Sequence, residues 1–390
     1  MRLLYVLERY PELSQTFVAQ EILGLQELGC EVRVVTLSQG LSAAAPARAR
    51  TADQAGRAKR LTALLRQGFQ APLATLSQLA REPNWPPPSG TARIRGALRI
   101  APFVEDAKWA DHIHSHFATE AADIGRLLGR ATRTPFSFTA HGADAYSKSA
   151  QLALNIRAAS FARAASPHVA EMLRNAAPDS PSAERVIEIP VAVDTERFAS
   201  PTPYRAAGDV ISIGRLVEKK GFSTLISAFA SVQDSESLRG RALRVIGDGP
   251  LRASLEAQAT AEGARVSFLG SLPHDQLMEH VWGAALFALT PQVTADGDRD
   301  GRPTVLIEAM AAGLPVLSTS IPGIDDLVTS AIGTLAEPGN ITSVGLSLVS
   351  LLGLPPETRQ RMGEQGISVA IPYGRTEVAK EILEAFQDGR

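Results

Sequence analysis

Cysteine is almost missing from this chain: Cys30 is the single one in 390 residues. That excludes a disulfide framework and a cysteine-rich zinc site, and it agrees with a reducing cytoplasm. No apolar run approaches the roughly 18 residues that a membrane-spanning helix needs. The opening stretch MRLLYVLERYPELSQTF has only a short apolar run before Glu8 and Arg9, too short for a signal-peptide core. Charge of one sign is also lacking: 39 basic against 41 acidic residues leave a net charge of -2, which excludes a globally basic nucleic-acid binder. The first strand-to-helix turn holds no glycine, and SIGRLVEKKG spaces Gly214 and Gly221 wrongly for Gly-x-Gly-x-x-Gly, so a nicotinamide enzyme is not expected. No Gly-x4-Gly-Lys-Ser/Thr run exists either, which removes a P-loop ATPase.

What is present reads as a globular enzyme, with 45% hydrophobic and 21% charged residues. The length exceeds one ordinary core and suggests two domains. RLLYVL, EVRVVTL, FSFTA and RVIEIP are short β-rich runs separated by helical stretches such as FVAQEILGLQELG, which ends on a glycine stop. The pattern restarts near residue 208 with VISIG, then LRVIG, VSFLG, ALFALT and PVLST, each followed or preceded by a helical segment. Strands alternating with helices imply parallel sheets covered on both faces. The expected organisation is an N-terminal domain over 1–203, a C-terminal domain over 204–372 and a last helical segment over 373–390. The polar stretch Ala199 to Gly208 is the expected linker. A ligand is expected beyond the carboxyl ends of the strands, in a cleft between the domains.

An insertion over 41–102 breaks this rhythm with ten Arg and Lys residues against Asp53 and Glu82. Two readings stay open for it: a solvated loop with helical pieces, or a basic amphipathic contact with an anionic membrane surface.

The most informative stretch is DGDRDGRPTVLIEAMAAGLPVLST, residues 296–319. An EF-hand calcium loop starting at Asp296 would need its bidentate acid at position 307, which is Ile307. A divalent ion held by Asp296, Asp298 and Asp300 together with a nucleotide diphosphate stays open. So do three imidazoles on one strand face in HIHSH (His112, His114, His116), against the plainer reading of hydrogen-bonded strand-end histidines. A pocket for a sugar diphosphate explains more positions. Pro303 suits the first helical position, and the amides around Gly301 to Thr304 then face the ligand side. Thr304 and Glu308 share a helix face, and carboxylates suit sugar hydroxyls because each oxygen accepts hydrogen bonds. After the first strand of the restarted domain, Arg215 and Lys220 supply charge for a diphosphate.

With these residues in view, the chain resembles the retaining GT-B glycosyltransferases of family 4, in the exopolysaccharide and colanic-acid-type branch. The matching stretches run along nearly the whole chain: YPELSQTFVAQEI, DHIHSHFATEAA, FSFTAHGADAY, IPVAVDTERF, SIGRLVEKKGF, VIGDGPLR, VSFLGSLPHDQL and GDRDGRPTVLIEAMAAGLPVLSTSIPGI. The resemblance implies an α/β fold of two Rossmann-like domains facing across a cleft, with the last helix, about Thr376 to Phe386, crossing back to the first. It implies Arg215 and Lys220 as the diphosphate pair, and Glu308 as the second acid of the Glu-x7-Glu signature near the ribose. Gly301, Arg302 and Pro303 match the turn whose backbone approaches the donor sugar. His141 matches a cleft histidine near the transferred sugar, and Thr304, Gly214 and Ser14 complete the donor-side set.

Two positions depart from the pattern: Asp300 replaces the first glutamate, and Gln15 replaces the glutamate of Ser-Glu-Thr-Phe. The implied reaction moves a sugar from a UDP- or GDP-linked donor to a glycan or polyprenyl-linked acceptor, without metal, cofactor or nucleic acid. It would take place in the cytoplasm, with the membrane contact of the basic insertion at the inner face. A sugar-nucleotide epimerase and a degenerate sugar-nucleotide-binding partner are the alternatives.

Overall fold

The computed structural model describes residues 1–12, 15–40, 49–51, 100–145, 150–178 and 181–389. These form two compact units, one of Met1–Ala192 with Arg375–Arg390 and one of Val193–Gly374. Most of the basic insertion and Ser14 lie outside the described residues. Of the insertion's charges, Arg50 is described, and it shares Asp106 with Arg33 at 2.9 and 3.2 Å.

The first unit is built on a parallel sheet of β1 (Arg2–Tyr10), β2 (Glu31–Gln39), β3 (Ala49–Thr51), β4 (His112–His116), β5 (Phe136–Ala140), β6 (Ala162–Ala164) and β7 (Val186–Glu188), in the order β3-β2-β1-β4-β5-β6-β7. The reversal between β1 and β4 places the loops after β1, β4 and β5 at a topological switch point, where such sheets bind ligands. The helix Thr16–Glu27 crosses from β1 to β2 and stops where Gly29 adopts φ 82°. There the Cys30 amide donates to the Leu25 carbonyl, closing the turn. The C-terminal helix Arg375–Asp388 belongs to this unit, as the last segment is expected to. It buries Val378, Ala379, Ile382 and Phe386 among Leu3, Tyr5, Val18, Ile22 and Leu25. Gly24 makes the approach possible, since a Cβ there would lie 2.7 Å from the Arg375 carbonyl oxygen.

The second unit carries β8 (Val210–Ile213), β9 (Leu243–Ile246), β10 (Val266–Gly270), β11 (Leu286–Ala288), β12 (Val316–Thr319) and β13 (Gly333–Ala336), all parallel, in the order β10-β9-β8-β11-β12-β13. Its switch point lies between β8 and β11. Helices Phe222–Val232 and Thr304–Ala311 follow those two strands.

The division falls at Ala192/Val193 and Gly374/Arg375, where the sequence reading puts 203/204 and 372/373. The stretch expected to be the linker, Ala199–Gly208, belongs to the second unit and is anchored there at Tyr204 and, just before it, at Phe198. Phe198 is buried and its carbonyl accepts a 3.0 Å hydrogen bond from Trp282 Nε1, while Tyr204 Oη donates to the Ala285 carbonyl at 2.7 Å. Among the described residues, no helix is long and apolar enough to cross a membrane.

Candidate functional site

In the second unit the loops after β8 and β11 meet. Lys220 Nζ lies 2.6 Å from Asp300 Oδ2, and Lys219 Nζ lies 3.1 Å from Asp298 Oδ1 and 3.8 Å from Asp300 Oδ1. The Lys220–Asp300 contact is an ion pair without hydrogen-bond directionality, for Asp300 Oδ2 gains no properly angled donor. Arg215, two residues after β8, is exposed and makes no ion pair among the described residues.

The three aspartates do not converge. Asp296 accepts from Thr294 Oγ1 and from the Asp298 amide, Asp298 pairs with Lys219, and Asp300 pairs with Lys220. Asp298 and Asp300 both face Lys219 Nζ, at 3.1 and 3.8 Å, while Asp296 is taken up by Thr294 and the Asp298 amide, so a lysine ammonium holds the position on which two of the three acids meet.

Glu308 faces the same corner from the helix Thr304–Ala311. Although its side chain keeps partial exposure, burial pushes its carboxyl up to about 7, while a hydrogen bond with Thr304 and the charge of Lys220 pull the other way. Thr304 and Glu308 therefore do share a face. Pro303 is displaced by one position from expectation: it is the N-cap, with φ -63° and ψ 120°, and Thr304 opens the helix. The proline ring fixes φ at a helical value, but its extended ψ keeps it outside the first turn. The amides of Thr304 and Val305 thereby lack intrahelical acceptors at the positive end of the helix dipole.

The Gly301–Arg302–Pro303 turn is held by its own side chain. Arg302 donates to the Gly323 carbonyl at 3.0 Å and to Tyr373 Oη at 2.7 Å, and pairs with Asp326. Its guanidinium is thus a brace, and any ligand contact here falls to the backbone. Gly323, with φ 94°, lets the brace close, because a Cβ there would sit 1.9 Å from the Gly301 oxygen. Gly214 is different: an added methyl would meet Phe222 and the stem of Lys220 at ordinary distances of 3.6–3.8 Å. The tight glycines beside it are Gly221, φ 69°, and Gly247, φ 131°, whose Cβ atoms would strike the Thr290 and Gly214 oxygens at 1.8 and 2.0 Å. Sequence reading passed over both as site-forming positions, although a glycine directly after a strand was the signal for Gly247.

In the first unit His141 follows β5, between the rings of Phe17 and Phe117 with centroids at 4.6 and 4.7 Å. The Asp144 carboxylate fixes its backbone by accepting from the amides of His141, Gly142 and Ala118 at 2.8–2.9 Å. Behind it stands a buried polar cluster. His116 Nδ1 is 3.0 Å from His141 Nε2, and His116 Nε2 is 3.1 Å from Glu21 Oε1. Glu21 Oε1 also accepts from Tyr5 Oη at 2.6 Å, and Oε2 pairs with Arg163. Burial works against the Glu21 charge, yet Arg163 and His116 outweigh it and hold the carboxyl well below its usual range.

His112 and His114 share Ser137 Oγ at 2.7 and 2.8 Å, and His114 Nε2 meets Thr139 Oγ1 at 2.8 Å. The HIHSH imidazoles are thus hydrogen-bonded strand residues. The Glu21, His114 and His116 ligand atoms do lie within 4.8 Å of one another, but those atoms already face hydroxyls, a guanidinium and each other. Glu21 and Arg163 have no place in the sequence reading, and His116 enters it only as one of the three HIHSH imidazoles. The available signal for Glu21 was a charge on the helix face that Val18, Ile22 and Leu25 make apolar.

Comparison with known proteins bears on this arrangement. The family model described as glycosyl transferases group 1 matches residues 195–369, and that of glycosyltransferase family 4 matches 14–197. TuaC of Bacillus subtilis, which carries a teichuronic acid biosynthesis glycosyltransferase assignment, is 26% identical over 352 residues, 84% of this chain and 83% of its own. The amylovoran biosynthesis glycosyltransferase AmsK of Erwinia amylovora is 31% identical over 179 residues, 43% of this chain and 42% of its own. The crystal structure of Anabaena HepE in complex with UDP and glucose superposes with a TM-score of 0.72, at 18% identity, over 99% of both chains. Such a likeness extends to the fold, which is GT-B. The two family models meet at the border between the compact units, and the chain belongs to the family-4 glycosyltransferases.

Proposed function

We propose that the chain transfers a sugar from a nucleoside diphosphate to a hydroxyl of a glycan or lipid-linked acceptor, with retention at the anomeric carbon, in the synthesis of a cell-surface polysaccharide. The observation that carries the reading is the corner at the second unit's switch point. Lys220, Asp300, Glu308 and the first amides of the helix Thr304–Ala311 gather there, and Arg215, without an ion pair among the described residues, lies on the same loop as Lys220. Cations and helix amides suit a diphosphate, and two acids suit the hydroxyls of a ribose and a sugar. The roles assigned to TuaC and AmsK in teichuronic acid and amylovoran synthesis support the polysaccharide setting, and the UDP in the HepE crystals supports the donor class.

In the reaction, the bond between the anomeric carbon and the diphosphate oxygen breaks, and the acceptor oxygen bonds to the same face. The acceptor proton passes to the departing diphosphate. Arg215, Lys220 and the helix amides stabilise the charge that develops on that leaving group, which leaves no step needing a metal.

A thermal-shift panel of uridine, guanosine and adenosine diphosphate sugars tests the donor, because a ligand at 100 times its Kd adds about 2.7 kcal/mol. NMR of the product's anomeric configuration tests retention. Turnover of the donor without acceptor would favour an epimerase, and no response to any nucleotide sugar would defeat the proposal.

A further inference from the structure

We propose that Lys219 is a positioning residue of the donor corner: when a diphosphate draws Lys220 away from Asp300, Lys219 turns from Asp298 to Asp300 and keeps that acid charged and in place. The inference rests on the function proposed above, since the diphosphate of the donor sets the exchange in motion.

Without a ligand, two ammonium groups match two carboxylates. Lys220 Nζ lies 2.6 Å from Asp300 Oδ2, and Lys219 Nζ donates to Asp298 Oδ1 at 3.1 Å while standing 3.8 Å from Asp300 Oδ1. Lys219 is thus bonded to one acid and a short swing of its stem from the other. The backbones on both sides are tied down, so the exchange falls to side chains. On the lysine side, the Gln292 amide donates to the Lys219 carbonyl at 2.9 Å, Gln292 Nε2 to the Glu218 carbonyl at 3.2 Å, and Thr290 Oγ1 to the Gly221 carbonyl at 2.8 Å. These bonds pin the turn that carries both lysines to the chain after β11. On the acid side, the Thr294 amide donates to the Asp298 carbonyl at 2.9 Å and the Asp298 amide to Asp296 Oδ1 at 3.2 Å.

Exposure gives the exchange its direction. The Asp298 side chain is 44% exposed and that of Asp300 only 13%. Water can hydrate Asp298 once Lys219 leaves it, and an ion pair so open to solvent is weak. A carboxylate as shielded as Asp300, left without a cation, is costly. If Lys220 alone answered the diphosphate, that cost would fall on donor binding, beside the repulsion between phosphate and Asp300. With Lys219 following, the charge left unpaired is the one that water reaches best. Among the described residues, Lys219 and Lys220 are the two cations within ion-pair distance of Asp300, so Lys219 is the group placed to stand in.

The test is a double-mutant cycle on the full chain, read by calorimetry. UDP, GDP and ADP are titrated into the wild type, and the tightest binder is carried into Lys219→Met, Asp300→Asn and the double variant. Lys219→Met should weaken that nucleotide about 10- to 150-fold in the wild-type background, the range of one charged hydrogen bond, and by no more than about threefold in the Asp300→Asn background. Lys219→Arg should recover most of the affinity, and Asp298→Asn should leave it level or raise it. An equal loss in both backgrounds would make Lys219 a direct phosphate ligand, and no loss in either would make it a plain counterion of Asp298; each overturns the proposal. Melting without nucleotide should stay near wild type in Lys219→Met, because Lys220 still covers Asp300, and a lowered melting temperature with a flat affinity cycle would reduce Lys219 to a structural part. If Lys219→Met does not fold, a crystal structure of the wild type with the same nucleotide decides. Lys219 Nζ is expected at hydrogen-bond distance from Asp300, and Lys219 still on Asp298 while Lys220 holds phosphate would refute the exchange. A wild type that binds none of the three nucleotides defeats the proposed function and this inference with it, whereas binding without the coupling defeats the inference alone.

Discussion

Lys220 Nζ rests 2.6 Å from Asp300 Oδ2, and both side chains are largely shielded from water, at 16% and 13% exposure. The cation assigned to the diphosphate is thus engaged with the acid assigned to the sugar. A bound donor would have to reset this pair, giving Lys220 to phosphate and Asp300 to a hydroxyl. Replacing Asp300 should therefore act in two directions. Asp300→Ala frees Lys220, so affinity for the bare nucleoside diphosphate should stay level or rise by about two- to fivefold, the range of a partly exposed ion pair. Turnover should fall about 10- to 150-fold in kcat/KM, the loss of one charged hydrogen bond. Asp300→Glu should keep turnover and shift preference among donor sugars. Calorimetry and a donor panel read both effects, and rates within about twofold of wild type for Asp300→Ala would reduce Asp300 to a simple counterion.

Arg215 gives the complementary case, since it is exposed and bound to nothing charged among the described residues. Arg215→Ala should leave the melting temperature unchanged, because no partner is orphaned. It should weaken nucleoside diphosphate binding by about 1.5–3 kcal/mol. Unchanged calorimetric affinity in this variant would take Arg215 out of the donor site.

Much of the second unit was legible in the sequence because its strands are buried runs bounded by glycine: VISIG, LRVIG and VSFLG become β8, β9 and β10 as read. The strand β13, GTLA, was passed over because four residues with a leading glycine carry too little pattern. The boundary near 203 came late because Ala199–Gly208 is polar in composition, and two aromatic residues flanking and within it, Phe198 and Tyr204, decide its packing. On the site side, spacing and resemblance name Lys220, Glu308 and His141. They do not join Glu21, His116 and Arg163 into one cluster, since its members are far apart in the chain and only the fold brings them together. Hydrogen-bond partners of that kind are set by topology, and no local window contains them.

Glu308 makes stability depend on pH with a definite sign. Its folded-state pKa of about 7 stands above the ordinary 4.5, so the folded protein binds the proton more tightly than the unfolded chain does. The resulting stability is fully present below the unfolded value and is lost as pH rises through about 7. The shift corresponds to roughly 3 kcal/mol at full ionisation. Glu308→Gln should abolish the dependence, melting near wild type at about pH 5 and above it at about pH 8. Melting curves of both proteins across that interval check the claim, and parallel curves would place Glu308 in better contact with water than its depth implies. The same variant should weaken every donor that shares the ribose, whatever the sugar.

The glycines around the corner separate conformational need from mere proximity. Gly323→Ala would force a side chain into φ 94° and bring its Cβ to 1.9 Å from the Gly301 oxygen. The left-handed penalty alone is about 1–2 kcal/mol, and relieving the clash must move the Gly301 turn or release the Arg302 brace. Gly221→Ala meets the same problem against Thr290. Gly214→Ala adds a methyl at ordinary contact distance from the Lys220 stem and Phe222, so the fold should tolerate it within about 0.5 kcal/mol. The expected order is clear loss of stability and turnover for Gly221→Ala and Gly323→Ala, and near wild-type melting for Gly214→Ala. Turnover of Gly214→Ala then isolates how close the phosphate comes to that loop. If the methyl leaves melting and rate alike, Gly214 only gives room to Lys220; if rate collapses while melting holds, the diphosphate approaches the bare backbone at residue 214.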